Sequence, residues 1–158
     1  MLSLAPVSCN RGGSFWLTDT VVIRYRWIMG RVQVFEDLIA WQKARTLARL
    51  ITQITSGSQF TQDFKLRGQL RSAAASVMSN IAEGFDRNGR REFHQFLSIA
   101  KGSVAEVRSL VHFSRDAGML GEAEYHHLLQ QCREVSRIIA GLRRSIDPKT
   151  RPNGPTKH

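Results

Sequence analysis

Cysteine is nearly missing from this chain, whose 158 residues hold only two, Cys9 and Cys132. Their number and separation suggest neither a disulfide framework nor a zinc site, and they make a reducing cytoplasm the expected setting. Long apolar runs are missing too. Charge interrupts each extended hydrophobic pattern at helical spacing, so no stretch approaches the ~18 residues needed to cross a bilayer, and no membrane role is expected. The first ten residues carry no basic group, and their short apolar stretch is broken by Ser3 and Pro6, which argues against a secretory signal. Strand-like alternation is absent as well.

What remains is the composition of a packed domain. Hydrophobic residues make up 42% of the chain and aromatics 8%, too apolar for a wholly disordered polypeptide and enough for one core without metal or disulfide support. The net charge is +10, and half of the excess lies outside the periodic region. From Phe35 to Ile146 there are 16 Lys and Arg against 11 Asp and Glu. Arginine supplies 18 of the 23 basic residues, and its planar fork suits phosphate and carboxylate alike. A polyanionic partner fits this balance.

Residues 1–28 hold no sustained period, and Pro6, Gly12 and Gly13 break the local pattern. They are expected to be a disordered leader, or an upstream stretch read through before a true start at Met29. The folded unit is expected over residues 29–146, and residues 147–158, with Pro148, Pro152 and Pro155 among polar groups, are expected to form a disordered basic tail.

Within the folded unit four segments have helical period. The first runs from Phe35 to Ile54, with Phe35, Leu38, Ile39, Gln42, Leu47, Leu50, Ile51 and Ile54 assigned to its buried face. The second spans about Asp63 to Glu83, with Leu66, Leu70, Ala73, Ala74, Val77 and Ile81 inward and Gly84 as the expected stop. In the third, Phe93, Leu97, Ala100, Val104, Val107, Val111 and Ser114 form a heptad seam, widened by Phe96, Ile99, Leu110 and Phe113. The fourth repeats the device with Tyr125, Leu128, Cys132, Val135, Ile139, Leu142 and Ile146. Short connections between helices of similar length predict an all-α, antiparallel, up-down-up-down, left-handed four-helix bundle. The second apolar strip of the third helix favours self-association.

Catalysis and metal binding find little support. Ser79, Asn80 and Glu83 are read as a hydrogen-bonded network ending the second helix, since local spacing assembles no nucleophile, base and orienting group. Among His94, His112, His126 and His127, only His127 stands three residues after a glutamate, Glu124, whereas dimetal bundles need two such pairs and further carboxylates. No enzyme activity, cofactor or metal is expected. Basic ridges are more prominent: Arg45 with Arg49, Arg67 with Arg71, and Arg133 with Arg137 and Arg144, while Arg87, Arg90 and Arg91 crowd the connection between the second and third helices. Arg67, Arg71, Arg87, Arg90, Arg91, Arg133, Arg137 and Arg144 are therefore the candidate contacts to RNA or DNA backbone. No aromatic residues interleave these ridges, so little sequence specificity is expected.

The stretch Gln69-Leu70-Arg71-Ser72-Ala73-Ala74-Ala75-Ser76-Val77-Met78-Ser79-Asn80-Ile81-Ala82-Glu83-Gly84 resembles the central signature of the four-helix-bundle proteins linked to intervening sequences of bacterial 23S rRNA genes. Phe35, Leu38, Trp41 and Ala44 are similar to that family's opening helix, and Glu92-Phe93, Phe96-Leu97 and Ala100-Lys101-Gly102-Ser103 to its third-helix motif. The resemblance implies a homo-oligomer, typically of five bundles, with no known catalytic activity. A related group, the accessory variability proteins of diversity-generating retroelements, associates with a reverse transcriptase and with nucleic acid. This chain departs from the pattern at Ser72, where arginine is common, and at Met78, where proline is common. The second change implies a straighter second helix. Two functions follow as expectations: a nucleic-acid-binding oligomer, or a protein-interaction scaffold such as an accessory subunit of a reverse transcriptase.

Overall fold

In the computed structural model, which describes residues 32–147, four long α-helices account for most of the backbone. They are α1 (Ile39–Ile54), α2 (Phe64–Asp86), α3 (Arg90–Asp116) and α4 (Glu122–Ser145), with short 3-10 turns at Phe35–Asp37 and Ser58–Phe60. The leader expected over residues 1–28 lies outside the described residues, as does the expected tail beyond Asp147. No strand occurs among the described residues.

Helix ends follow local chemistry. The Asp63 carboxylate accepts the Leu66 amide at 2.8 Å and so caps α2. Glu124 reaches back to the Gly121 N–H at 3.1 Å and does the same for α4. After α3, Gly118 takes a left-handed φ of 72°, which lets the Met119 N–H return to the Ser114 carbonyl at 2.9 Å. Asn88, at φ 53°, makes the corresponding bend between α2 and α3; asparagine tolerates this region better than most side chains.

Each helix packs on its neighbours in sequence, and α4 closes onto α1, while the backbones of the diagonal pairs stay farther apart. The antiparallel course of α2 and α3 shows in their contacts, Ser76 with Ser103 and Gly84 with Phe96. All seven residues of the α3 seam are buried, as are Leu128, Cys132, Val135, Ile139, Leu142 and Ile146 of α4. The six apolar residues assigned to the inner face of α2 are buried too. Each fully buried Val, Leu or Ile side chain contributes roughly 1.5–3 kcal/mol.

Two expectations need correction. The first helix begins at Ile39, because Leu38 has an extended ψ of 120° after the 3-10 turn. Its buried face is built from Ala40, Ala44, Leu47 and Ile51, whereas Ile39 is 41% exposed and Gln42 turns outward to donate to the Glu36 carbonyl at 2.9 Å. The second helix does not stop at Gly84. It continues uninterrupted through Met78 and Gly84 to Asp86, and a Cβ at Gly84 would lie 2.5 Å from the Cβ of Phe96. Glycine is there because α2 and α3 approach closely, not because the chain turns.

Candidate nucleic-acid interface

The eight arginines singled out from the sequence divide by what they touch, and Arg91 is exposed in the first turn of α3. Arg71 belongs to the fold. It donates through Nε to Thr55 Oγ1 at 2.8 Å and through a terminal nitrogen to Ser56 Oγ at 2.9 Å and the Thr52 carbonyl at 3.3 Å. Those groups end α1, whose last carbonyls lack intrahelical partners, so Arg71 ties the start of α2 to them. Arg90 serves α4 similarly, donating to the Ile146 carbonyl at 3.0 Å and the Asp147 carbonyl at 3.3 Å. Arg87 pairs with Glu83 at 2.6 Å and lies over the Phe96 ring at 4.9 Å. The hydrogen bond to Glu83 raises its pKa above the ordinary value. Arg67 stacks on Phe64 at 4.7 Å. Arg67 and Arg71 sit on α2, diagonally across the bundle from α4, so the structure does not unite them with Arg133, Arg137 and Arg144.

A different grouping arises on the flank shared by α3 and α4. His112 of α3 meets the Tyr125 hydroxyl of α4 at 3.1 Å, which marks the side of α3 that faces α4. Lys101 and Arg108 lie eleven and four residues before His112, within about 40° of it around the helix, and Arg90 lies a further eleven before Lys101. Arg108 also stands near enough to Cys132 for its charge to act on that thiol. On α4, Arg143 follows Tyr125 by eighteen residues, about five whole turns, and so shares its side. Arg133, Arg137 and Arg144 run along the outer surface of α4, and all three are exposed.

The flank therefore carries two basic rows. Its α3 row includes Lys101 and Arg108, which single-helix ridges had not revealed because their partners lie on another helix. The signal was present as a seven-residue step of two basic residues beside an apolar seam. Nearby carboxylates are directed elsewhere: Glu134 pairs with Lys43 of α1 at 2.8 Å, and Glu122 with Arg115 at 2.8 Å. Glu106 is two residues from Arg108, about 160° away around α3. Among the described residues, Lys101, Arg108, Arg133, Arg137, Arg143 and Arg144 form no ion pair. Arg143 is half-buried, and its Nε has no hydrogen-bond partner among those residues.

The network expected of Ser79, Asn80 and Glu83 at the end of α2 is not the one that forms: Glu83 pairs with Arg87, and of the three only Asn80 joins a network, with Ser76 and Ser103 and short of the helix end. Asn80 Nδ2 donates to the Ser76 carbonyl at 2.8 Å and to its hydroxyl at 3.1 Å, and Ser76 Oγ lies 2.9 Å from Ser103 Oγ of α3. The network thus joins two helices, a role for Ser76 and Ser103 that single-helix spacing does not reveal. On the opposite flank of α3, Ile99 is 46% exposed and Phe113 57% exposed, with Phe64 of α2 at 67%. Phe113 and Leu110 border a shallow groove with Leu66 and Gln69. Among the described residues no group of three or more His, Cys, Asp or Glu is placed to hold a metal ion, and no helix is long and apolar enough to cross a membrane.

These features define an all-helical bundle with one basic flank and one partly apolar flank. Residues 36–141 match the model of the 23S rRNA-intervening sequence proteins, and the chain belongs to that family. A crystal structure from Bacteroides thetaiotaomicron, of a protein of unknown function in the S23 ribosomal protein family, has a similar fold. It aligns with a TM-score of 0.61 at 17% identity, covering 66% of this chain and 97% of that one. Comparison with curated proteins found no match.

Proposed function

We propose that this protein is a non-enzymatic, self-associating bundle that binds nucleic acid through phosphate contacts on its α3–α4 flank, with little dependence on sequence. The observation that carries the proposal is the pair of basic rows whose exposed members form no ion pair among the described residues. Such a surface keeps its positive potential instead of spending it internally, and phosphate contacts position a strand without identifying its bases. Membership in a family named for intervening sequences of 23S rRNA makes ribosomal RNA a natural partner. Repetition of the flank in an oligomer would raise affinity by avidity.

The test is salt dependence. Affinity for a mixed-sequence RNA or DNA should fall by about a hundredfold or more between about 50 and 200 mM salt, because each neutralised phosphate releases condensed counterions. Replacing Lys101, Arg108, Arg133 and Arg137 with Ala should flatten that slope. No binding at the lower salt, by protein shown to be folded, would remove the proposal.

The exposed apolar side chains Ile99 and Phe113 favour a second function, a scaffold or accessory subunit that contacts a protein such as a reverse transcriptase. It predicts stable complexes with that partner and no salt-steep nucleic-acid binding. A reverse transcriptase gene beside this one would favour it, while insertion within a ribosomal RNA gene would favour the ribosomal link.

A further inference from the structure

Resting on the nucleic-acid proposal, we infer that the α3–α4 flank is built for double-stranded nucleic acid, held by phosphates of both strands, in preference to single strands. The flank is a rigid surface with charge in two rows on adjacent helices. Lys101 and Arg108 are seven residues apart on α3, and so are Arg137 and Arg144 on α4, which places each of these pairs about 10.5 Å apart, with Arg133 about 6 Å before Arg137 and Arg90 about 16.5 Å before Lys101. Packed helix axes stand about 8–10 Å from one another, and side chains leaning outward from the seam spread the rows further. Two strands flanking a groove present phosphates in the same form, as paired rows separated by a groove width on the order of 10 Å.

The length also fits. From Arg90 to Arg108 the α3 row extends about 27 Å, or roughly eight base pairs of duplex at about 3.4 Å each. Arg90 anchors one end, since its guanidinium is fixed against the C-terminal carbonyls of α4 at 3.0 and 3.3 Å and so holds the two rows in register.

Single-strand surfaces have a different construction. They pair a basic groove with aromatic side chains on which unstacked bases rest. Among the described residues the strongly exposed phenylalanines are Phe64 and Phe113, and they are on the wrong side. Phe113 is five residues beyond Arg108, about 140° around α3, and borders the α2–α3 groove. Tyr125 is half-buried at the far end and engaged with His112 and Arg115.

The experiment compares the full chain binding a duplex of about 20 base pairs, as RNA and as DNA, with an unstructured single strand of equal length, followed by fluorescence anisotropy at about 50 mM salt. Each duplex should bind at least about tenfold more tightly than its single strand. Higher charge density alone gives some duplex preference, so the decisive arm removes one row. The triple variant Arg133→Ala, Arg137→Ala, Arg144→Ala changes exposed side chains that form no ion pair among the described residues, and circular dichroism checks its fold. It should lose at least about tenfold in duplex affinity while single-strand affinity falls less than about threefold. Lys101→Ala with Arg108→Ala, removing the other row's charges beyond Arg90, which stays bonded to the end of α4, should behave alike. Equal affinity for single and double strands, or a duplex preference that survives loss of either row, overturns the inference and leaves the broader nucleic-acid proposal standing. Absence of binding to all four probes removes both.

Discussion

Gly84 of α2 and Phe96 of α3 are packed so closely that a methyl group on Gly84 would lie 2.5 Å from the Phe96 Cβ. The contact involves the Cβ itself, so rotation of the phenyl ring cannot relieve it and the helices would have to separate. Gly84→Ala should therefore destabilise the protein by about 1–3 kcal/mol, outweighing the gain in helix propensity. Gly68 and Gly102 are also within helices, but an added Cβ at either meets nothing within 4 Å. Alanine there should stabilise by up to about 1 kcal/mol. Chemical denaturation of the three variants checks both signs.

Val107 lies in the middle of the α3 seam and is completely buried. Val107→Asp places a carboxylate in the fully buried apolar seam, at a cost of several kcal/mol. The variant should be unfolded or show a greatly lowered melting temperature by circular dichroism; melting like the parent protein would contradict the seam.

The seams were legible in the sequence because a heptad of large apolar residues has one physical interpretation: Leu97, Val104 and Val111 had to face inward. The first helix was harder. Ala40 and Ala44 complete its core face with the α-carbon spacing of Leu47 and Ile51, yet alanine carries too little hydrophobicity to outvote Ile39, which stands 41% exposed. Gly84 was misjudged because glycine ends helices and also permits close helix contact, and one chain's periodicity does not separate the two. The same limit applies to the basic residues. Arg71 and Arg133 look alike as members of i, i+4 ridges, and only the helix lying opposite makes one a cap for α1 and leaves the other exposed.

Arg71 supplies the next test. Its three hydrogen bonds satisfy Thr55, which is buried, together with Ser56 and the Thr52 carbonyl. Arg71→Ala should lower stability by about 1–3 kcal/mol and leave the salt dependence of nucleic-acid binding unchanged. Melting and anisotropy measured on the same variant separate these effects. A flattened salt slope with normal stability would return Arg71 to the interface.

Cys132 sits in the α4 seam, where burial pushes its thiol pKa from an ordinary 9.0 up to about 12 against the opposing charge of Arg108. A thiol pKa raised by folding means that the fold disfavours the thiolate. Its contribution to stability is complete below about pH 9 and declines as pH rises from 9.0 toward about 12. In a Cys9→Ser background, alkylation at pH 9 should be very slow for folded protein and rapid in denaturant. Relative to that background, a further Cys132→Val change should make the alkaline loss of stability shallower, since valine has no proton to lose.

The last prediction concerns assembly. Ile99 and Phe113 are 46% and 57% exposed, so they contribute little to the core of their own bundle, yet both stand on the flank of α3 away from α4. Light scattering at micromolar concentration should give a closed oligomer, with five chains the number implied by the family resemblance. Changing both residues to Glu should produce monomers, because charge repels charge across a repeated apolar contact. The bundle should melt nearly as before, since surface substitutions away from the core usually change stability by no more than about 0.5 kcal/mol. Loss of the oligomer together with the fold would mean that these side chains serve the core. An oligomer of unchanged mass would place the contact on another face, and a monomeric parent protein would remove avidity from the account of nucleic-acid binding.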